Sequence, residues 1–413
     1  MQSMKDVLIV GGGAAGLTAA ALLRRTRPSL SVTVIEPSER HFYQAAWTLV
    51  GAGQYTIADT VKPTAAVVPA GVEWLKKRVL KFEPQNSSVQ LDDGAALAYR
   101  YLIVAAGLQL DWAKIEGLAA TLGKNGVTSN YSFDSAPYTW DCIRSFKGGR
   151  ALFTQPAMPI KCAGAPQKIM YMAADYFRQH GVKAEISFML PGAAMFSVPF
   201  YAKALDVIVA EYGIVPRFGY NLVAVDGPRK VATFEEVEGG QRRRVDMEFN
   251  LLHVVPPQSA PDFIKASPLA DAAGWVTVDK HTLRHPTFAN VFALGDCTTT
   301  PNSKTSAAVR AQAPVLVGNL LAAMDGGVLS QSYDGYASCP LTTSIGRIML
   351  AEFGYDGVIM PSFPLDPRVP RRMYWWLKRH YLPQLYWGML NRKLGSDWHR
   401  KRSFPEAVPA ISA

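Results

Sequence analysis

Apolar residues near the start of the chain come in short runs divided by glycine-rich or polar breaks. Val7-Leu8-Ile9-Val10 is such a run, of the kind that forms a strand buried on both faces of a parallel sheet. It leads into Gly11-Gly12-Gly13-Ala14-Ala15-Gly16, after which Leu17 to Arg25 has the Ala/Leu-rich pattern of a buried helix. Ser31 to Ile35 reads as the next strand and ends in Glu36.

The same alternation recurs downstream. Tyr101 to Val104 is a strand ending in Ala105-Ala106-Gly107, where the chain can turn back past a bound nucleotide. Ala151 to Thr154 opens a second unit, with Gln167 to Arg178 as its helix and Ala184 to Leu190 as its next strand. Asn290 to Leu294 closes on Gly295-Asp296, followed by Pro301-Asn302-Ser303-Lys304-Thr305 and an Ala-rich helix. Strands alternating with helices predict an α/β fold: two Rossmann-like three-layer dinucleotide-binding domains. A length of 413 residues suits two to three domains. The expected boundaries are residues 1–115 plus 280–327 for a discontinuous first domain, 116–279 for an inserted second one, and 328–413 for a C-terminal segment.

The first unit fits GxGxxG at Gly11, Gly13 and Gly16. In that motif the first glycine makes a tight turn, the second lets the backbone approach a pyrophosphate, and the third lets helix and strand pack closely. The helix N-terminus offers free N–H groups to phosphate. Glu36 lies 20 residues beyond Gly16, placed to accept from a ribose hydroxyl. A lone glycine loop is weak evidence; strand, loop, helix, strand and acid in register make a nucleotide site. The Gly295-Asp296 segment resembles the second FAD motif of the two-dinucleotide-binding-domain flavoprotein superfamily, which implies FAD as cofactor.

The second unit lacks the phosphate turn. Gln155 to Pro166 carries three prolines and one glycine, and the strand after its helix ends in Pro191-Gly192 rather than an acid. A cysteine, Cys162, occupies the loop instead. This argues that electrons arrive by thiol chemistry rather than as hydride from a nicotinamide.

Charge and cysteine count sharpen that picture. The net charge is +10, and the window Arg368 to Arg402 holds ten Lys/Arg against one acid, Asp397. The excess therefore sits in the tail, where Met373, Tyr374, Trp375, Trp376, Tyr381, Tyr386 and Trp387 interleave with basic residues. Such a segment suits a membrane surface: Tyr and Trp at headgroup depth, Lys and Arg toward anionic lipid. No nucleic-acid-binding fold accompanies it. Pro383 is expected to divide it into two short helices. No run of ~18 apolar residues marks a spanning helix. The four cysteines, Cys142, Cys162, Cys297 and Cys339, fit no zinc spacing and are too few for a disulfide scaffold, so no metal is expected. A redox pair is the better use, and Cys142, in the apolar stretch Tyr138 to Phe146, reads as core.

Four segments then resemble a known family. Ile35 to Gln44, Lys161 to Lys168, Gly295-Asp296-Cys297-Thr298 and Tyr333 to Leu341 are similar to sulfide:quinone oxidoreductase, in the subgroup that includes the mitochondrial enzyme. The resemblance runs from Lys5 to Leu390. It implies a catalytic disulfide between Cys162 and Cys339. Sulfide attacks it, Cys339 carries the persulfide sulfur, and Cys162, nearer the flavin, delivers two electrons. A second nucleophile, with sulfite, glutathione and cyanide as candidates, removes the sulfur, and a quinone takes the electrons. FAD contacts carry over to Gly12, Gly13, Glu36, Gln44, Val79, Asp296, Lys304 and Thr305. Cys297 is a candidate third cysteine, and Lys161 a candidate aid to the thiolate.

Phe353, Tyr386 and Trp387 are the expected quinone wall. The N-terminus shows no signal or transit pattern, so the expected location is peripheral and monotopic, on a bacterial inner membrane. The alternatives are a type II NADH:quinone oxidoreductase, which needs the glycine loop missing from the second unit; a secreted flavocytochrome-type subunit; and a redox-inactive FAD-containing binding protein. Homo-oligomerisation is left open.

Overall fold

The computed structural model describes residues 4–391 and 399–411, so 392–398 of the basic window lie outside it. The strand Lys5–Val10 forms the centre of a parallel sheet. Val32–Ile35 and then Glu73–Leu75 lie on one side, and Ala96–Val104 on the other. The chain leaves this sheet after residue 104 and re-enters it with Val291–Ala293, which pairs parallel to Ala96–Val104 with Val291 opposite Leu102. Period-two alternation divides the core of the central strand. Val7 and Ile9 pack with the helices Ala14–Thr26 and Ser306–Met324, while Leu8 and Val10 join the layer holding Phe82, Trp275 and Val276.

The second sheet is also parallel: Val127–Thr128, Leu251–His253, Gly149–Thr154, Ala184–Leu190 and Val215–Phe218 in that order. The helices Ala165–Gln179 and Pro199–Tyr212 cover one face. A three-stranded antiparallel sheet from Tyr220–Asp226, Val231–Glu238 and Gln241–Glu248 backs the other. The first helix begins earlier than its apolar pattern suggests. Pro166 sits in its first turn, where the missing N–H has no helical partner to lose.

A hairpin, Ala337–Ser344 with Arg347–Phe353, then packs on the second domain. It is followed by Arg372–Trp376, a π-turn at Leu377–Tyr381 and Leu382–Met389. This corrects the expected break at Pro383. The helical path is continuous, because the π-turn ends just before the proline and widens the ladder where the ring would meet the carbonyl of Arg379. The helix Ser306–Met324 corrects the expectation that nothing is long and apolar enough to cross a membrane. Here it packs against Ala14–Thr26 with Ala308, Val309, Leu316 and Leu320 buried.

Candidate active site

At the glycine loop, Gly11 has φ +106°, and a Cβ there would stand 2.5 Å from the Ala105 carbonyl oxygen. A Cβ on Gly16 would lie 1.9 Å from the Gly11 carbonyl oxygen, so the helix closes on the strand only without a side chain. Gly13 differs: a Cβ would meet nothing within 4 Å, and the residue faces a cavity at the N-terminus of Ala14–Thr26. The Gly12 N–H donates to Glu36 Oε2 at 2.8 Å, and the Ser38 N–H donates to Oε1 at 2.8 Å.

That cavity, about 820 Å³, runs from the glycine loop past Glu36, Gln44 and Gly107 to Asp296, Lys304 and Thr305. Thr305 caps Ser306–Met324, its hydroxyl accepting the Ala308 N–H at 3.1 Å. The Lys304 ammonium donates to the Thr298 carbonyl at 3.0 Å and lies 4.4 Å from the Trp275 ring centre. Burial raises the Asp296 pKa against the pull of Lys304 and Lys161. Asn130 Nδ2 and the Tyr131 hydroxyl reach the cavity wall buried and without a partner among the described residues. A phosphate-ready helix end at one side and unmet polar atoms at the other fit FAD. Gly16 and Val79 do not line the cavity; Val79 is buried in the layer behind the first sheet.

The loop 155–166 carries Cys162 to this cavity. Its N–H donates to the Lys304 carbonyl at 2.8 Å, which ties it to the second FAD segment, and its φ is +51°. Cys339, on the hairpin, points away from the neighbours Ser338 and Pro340 that line the cavity, and is fully buried. The two sulfurs stand 3.3 Å apart, where a modest side-chain rotation reaches the ~2.05 Å of a disulfide. Gly164 makes that approach possible: a Cβ there would lie 2.6 Å from the Cys339 sulfur and 2.3 Å from Leu341 Cδ2.

Two ammonium groups, neither expected from sequence patterning, face the pair. Lys168, in the first turns of Ala165–Gln179 and 3% exposed, donates to Cys162 Sγ at 3.1 Å. Lys378 reaches in from the π-turn, buried. The hydrogen bond from Cys339, then the charge of Lys168 working against burial, hold Cys162 well below the usual thiol range. Cys339 is pushed up by its bond to Cys162 and by burial. Burial and the neighbouring Lys168 charge bring Lys378 down to about 7. The pair is thus asymmetric, with its thiolate on the cavity side. Lys161, brought down to about 8 by burial, hydrogen-bonds Gln44 rather than a sulfur.

The other expected residues sit elsewhere. Cys297 lies in the core layer with its sulfur 3.6 Å from the Val104 and Leu294 carbonyls, and burial pushes it up to about 11. Burial also pushes Cys142 up to about 11. Phe353 is not a cavity wall. Alternation turns Leu350 and Glu352 toward the cavity and packs Phe353 against Phe196 in the core. Trp387 packs beside Tyr43 and under Lys62, outside the cavity lining. Tyr386 does line it, and meets His41. Burial keeps His41 neutral, down to about 4. With its Nδ1–H on the Gly12 carbonyl at 3.1 Å, Nε2 accepts the Tyr386 hydroxyl at 2.8 Å.

Two Rossmann-like sheets, an FAD-shaped cavity and a cysteine pair beside it define a flavoprotein of the disulfide-oxidoreductase class. The profile of the pyridine nucleotide-disulphide oxidoreductase family matches residues 5–137. The mitochondrial sulfide:quinone oxidoreductase of Mus musculus is 44% identical over 94% of this chain and 86% of its own. That of Dictyostelium discoideum is 44% identical over 100% and 91%. The crystal structure of the sulfide:quinone oxidoreductase from Aquifex aeolicus superposes with a TM-score of 0.74 at 18% identity, covering 94% of this chain and 92% of that one. The chain belongs to the sulfide:quinone oxidoreductase family, and is an FAD-dependent oxidoreductase. Both of these relatives are named as mitochondrial, which gives no support to a bacterial inner membrane.

Proposed function

We propose that the chain oxidises hydrogen sulfide through the Cys162–Cys339 pair, hands the sulfur to a small nucleophile and passes the electrons to a membrane quinone. The observation that carries this is the 3.3 Å contact between the sulfurs at the wall of the FAD cavity. With the pair as a disulfide, hydrosulfide attacks the Cys339 sulfur. The S–S bond breaks, leaving a persulfide on Cys339 and a thiolate on Cys162. Lys168 stabilises that thiolate through a charge-assisted hydrogen bond. The Cys162 thiolate is the electron donor of the pair, giving up two electrons, and sulfite, glutathione or cyanide then takes the outer sulfur from Cys339 as the disulfide re-forms. FAD, held between the glycine loop and Asp296, Lys304 and Thr305, would supply the two-electron carrier between the cysteine pair and the quinone.

Helical spacing supports a membrane role for the tail. Tyr374 and Lys378 turn inward, while Arg372, Met373, Trp376 and His380 share the exposed face. The functional test is sulfide-dependent quinone reduction by the FAD-loaded protein, with and without sulfite, glutathione or cyanide. Turnover in wild type that is absent in Cys339→Ser supports the reading. Equal turnover in the variant contradicts it.

A further inference from the structure

Reducing a quinone takes two protons as well as two electrons, and the cysteine chemistry leaves unused the one buried acid among the described residues of the cavity wall. Glu352, on the hairpin strand Arg347–Phe353, is 2% exposed and lines the cavity. Its Oε1 accepts the Tyr336 hydroxyl at 2.5 Å and the Ser362 hydroxyl at 2.7 Å, and its Oε2 accepts the Ser362 N–H at 2.8 Å. These partners are two hydroxyls and an amide, and they hold the carboxyl in place at the cavity surface.

The surroundings suit a ring with polar edges. Pro340, Leu350 and Phe363 join Leu382 and Leu385 of the C-terminal helical run as apolar walls, with Glu352 and Tyr336 at the same cavity surface. Behind the carboxyl, the Tyr336 ring stacks on His399 with centres 3.8 Å apart. His399 Nε2 lies 4.0 Å from the carboxylate of Asp334, whose side chain is 48% exposed. Titratable groups thus lead from Glu352 to the surface.

We infer that Glu352 is the proton donor to the quinone, an assignment that rests on the sulfide-to-quinone reading above. Its carboxyl O–H bond breaks and the proton goes to a quinone oxygen as the two electrons arrive from the reduced cofactor. The carboxylate recovers a proton from water through the Tyr336 hydroxyl, and a second passage completes the quinol. The quinone gains two electrons and two protons, and Glu352 ends as it began.

The test uses full-length, FAD-loaded wild type and Glu352→Gln, reduced anaerobically with dithionite. Each is mixed in a stopped-flow cell with a short-chain quinone or with ferricyanide, which takes electrons but no protons. The expected result is slowing of reoxidation by quinone on the order of 100-fold, with no change for ferricyanide. Equal slowing with both acceptors, or with neither, overturns the assignment. Should Glu352→Gln fail to hold FAD, Tyr336→Phe keeps the carboxyl, removes one of its donors and is read in the same way. Chemical reduction separates the two claims. Wild type that quinone reoxidises but sulfide does not reduce sinks the sulfide reading alone, while wild type that quinone does not reoxidise overturns both.

Discussion

The Lys168 ammonium lies 3.1 Å from the Cys162 sulfur, buried, one helical turn from the loop that carries the cysteine. After the hydrogen bond from Cys339, this contact helps make the thiolate of Cys162 rather than that of Cys339 the favoured one. Removing the charge by Lys168→Met takes away one of the causes that lower the Cys162 pKa. The pH at which the thiolate forms in the reduced protein is expected to move up. Because the thiolate is then lost as pH falls through a higher value, the variant's deficit grows toward acid. Ultraviolet thiolate absorbance against pH checks this, and an unchanged titration curve would show that Lys168 plays no part.

Gly164 leaves room for Cys339. In Gly164→Ala the new methyl meets the Cys339 sulfur and the Leu341 side chain at distances no atoms tolerate. The hairpin has to move away, at a cost of about 1–3 kcal/mol. Denaturant melts are expected to show that loss, and thiol counting after oxidation to show slower closure of the pair.

Lys378 makes stability depend on pH. Its folded pKa is about 7, below the ordinary value of 10.5. The cost of a buried charge is fully present below pH 7 and is relieved as pH rises from 7 toward 10.5. Lys378→Met is therefore expected to stabilise the fold, by about 1–3 kcal/mol at pH 6, with the gain shrinking by pH 9. Melting temperatures at the two pH values check the sign. A gain that grows with pH would contradict it.

Met373 and Trp376 are 47% and 61% exposed on one helical face. Replacing both with Ser is expected to release the protein from vesicles containing anionic phospholipid, with dithionite-reduced flavin still oxidised by ferricyanide. Co-sedimentation reads this directly. Undiminished binding would place the membrane contact elsewhere.

Local patterns made much of this legible. Strand, glycine turn, helix and acid lie close together in sequence, so the nucleotide end of the cavity could be read residue by residue. The absent second glycine loop was equally readable. The partners of the cysteine pair were not, because Lys168 and Lys378 come from distant elements and meet only in the fold. Lys378 sits in a basic tail whose pattern suggests solvated charge, yet the spacing from Tyr374 turns it inward. Phe353 is the apolar choice for a cavity wall, but strand parity turns Glu352 toward the cavity instead. An acid alone in the run Ile348-Met349-Leu350-Ala351-Glu352-Phe353 was the available signal.

The central claim is that sulfide reduces the flavin through Cys162. Anaerobic stopped-flow mixing of the FAD-loaded protein with sulfide, with NADH in a parallel experiment, tests it most directly. Rapid bleaching of the flavin by sulfide that is lost in Cys162→Ser, with no bleaching by NADH, is the predicted result. Bleaching by NADH but not by sulfide, or sulfide bleaching that survives Cys162→Ser, would contradict the account.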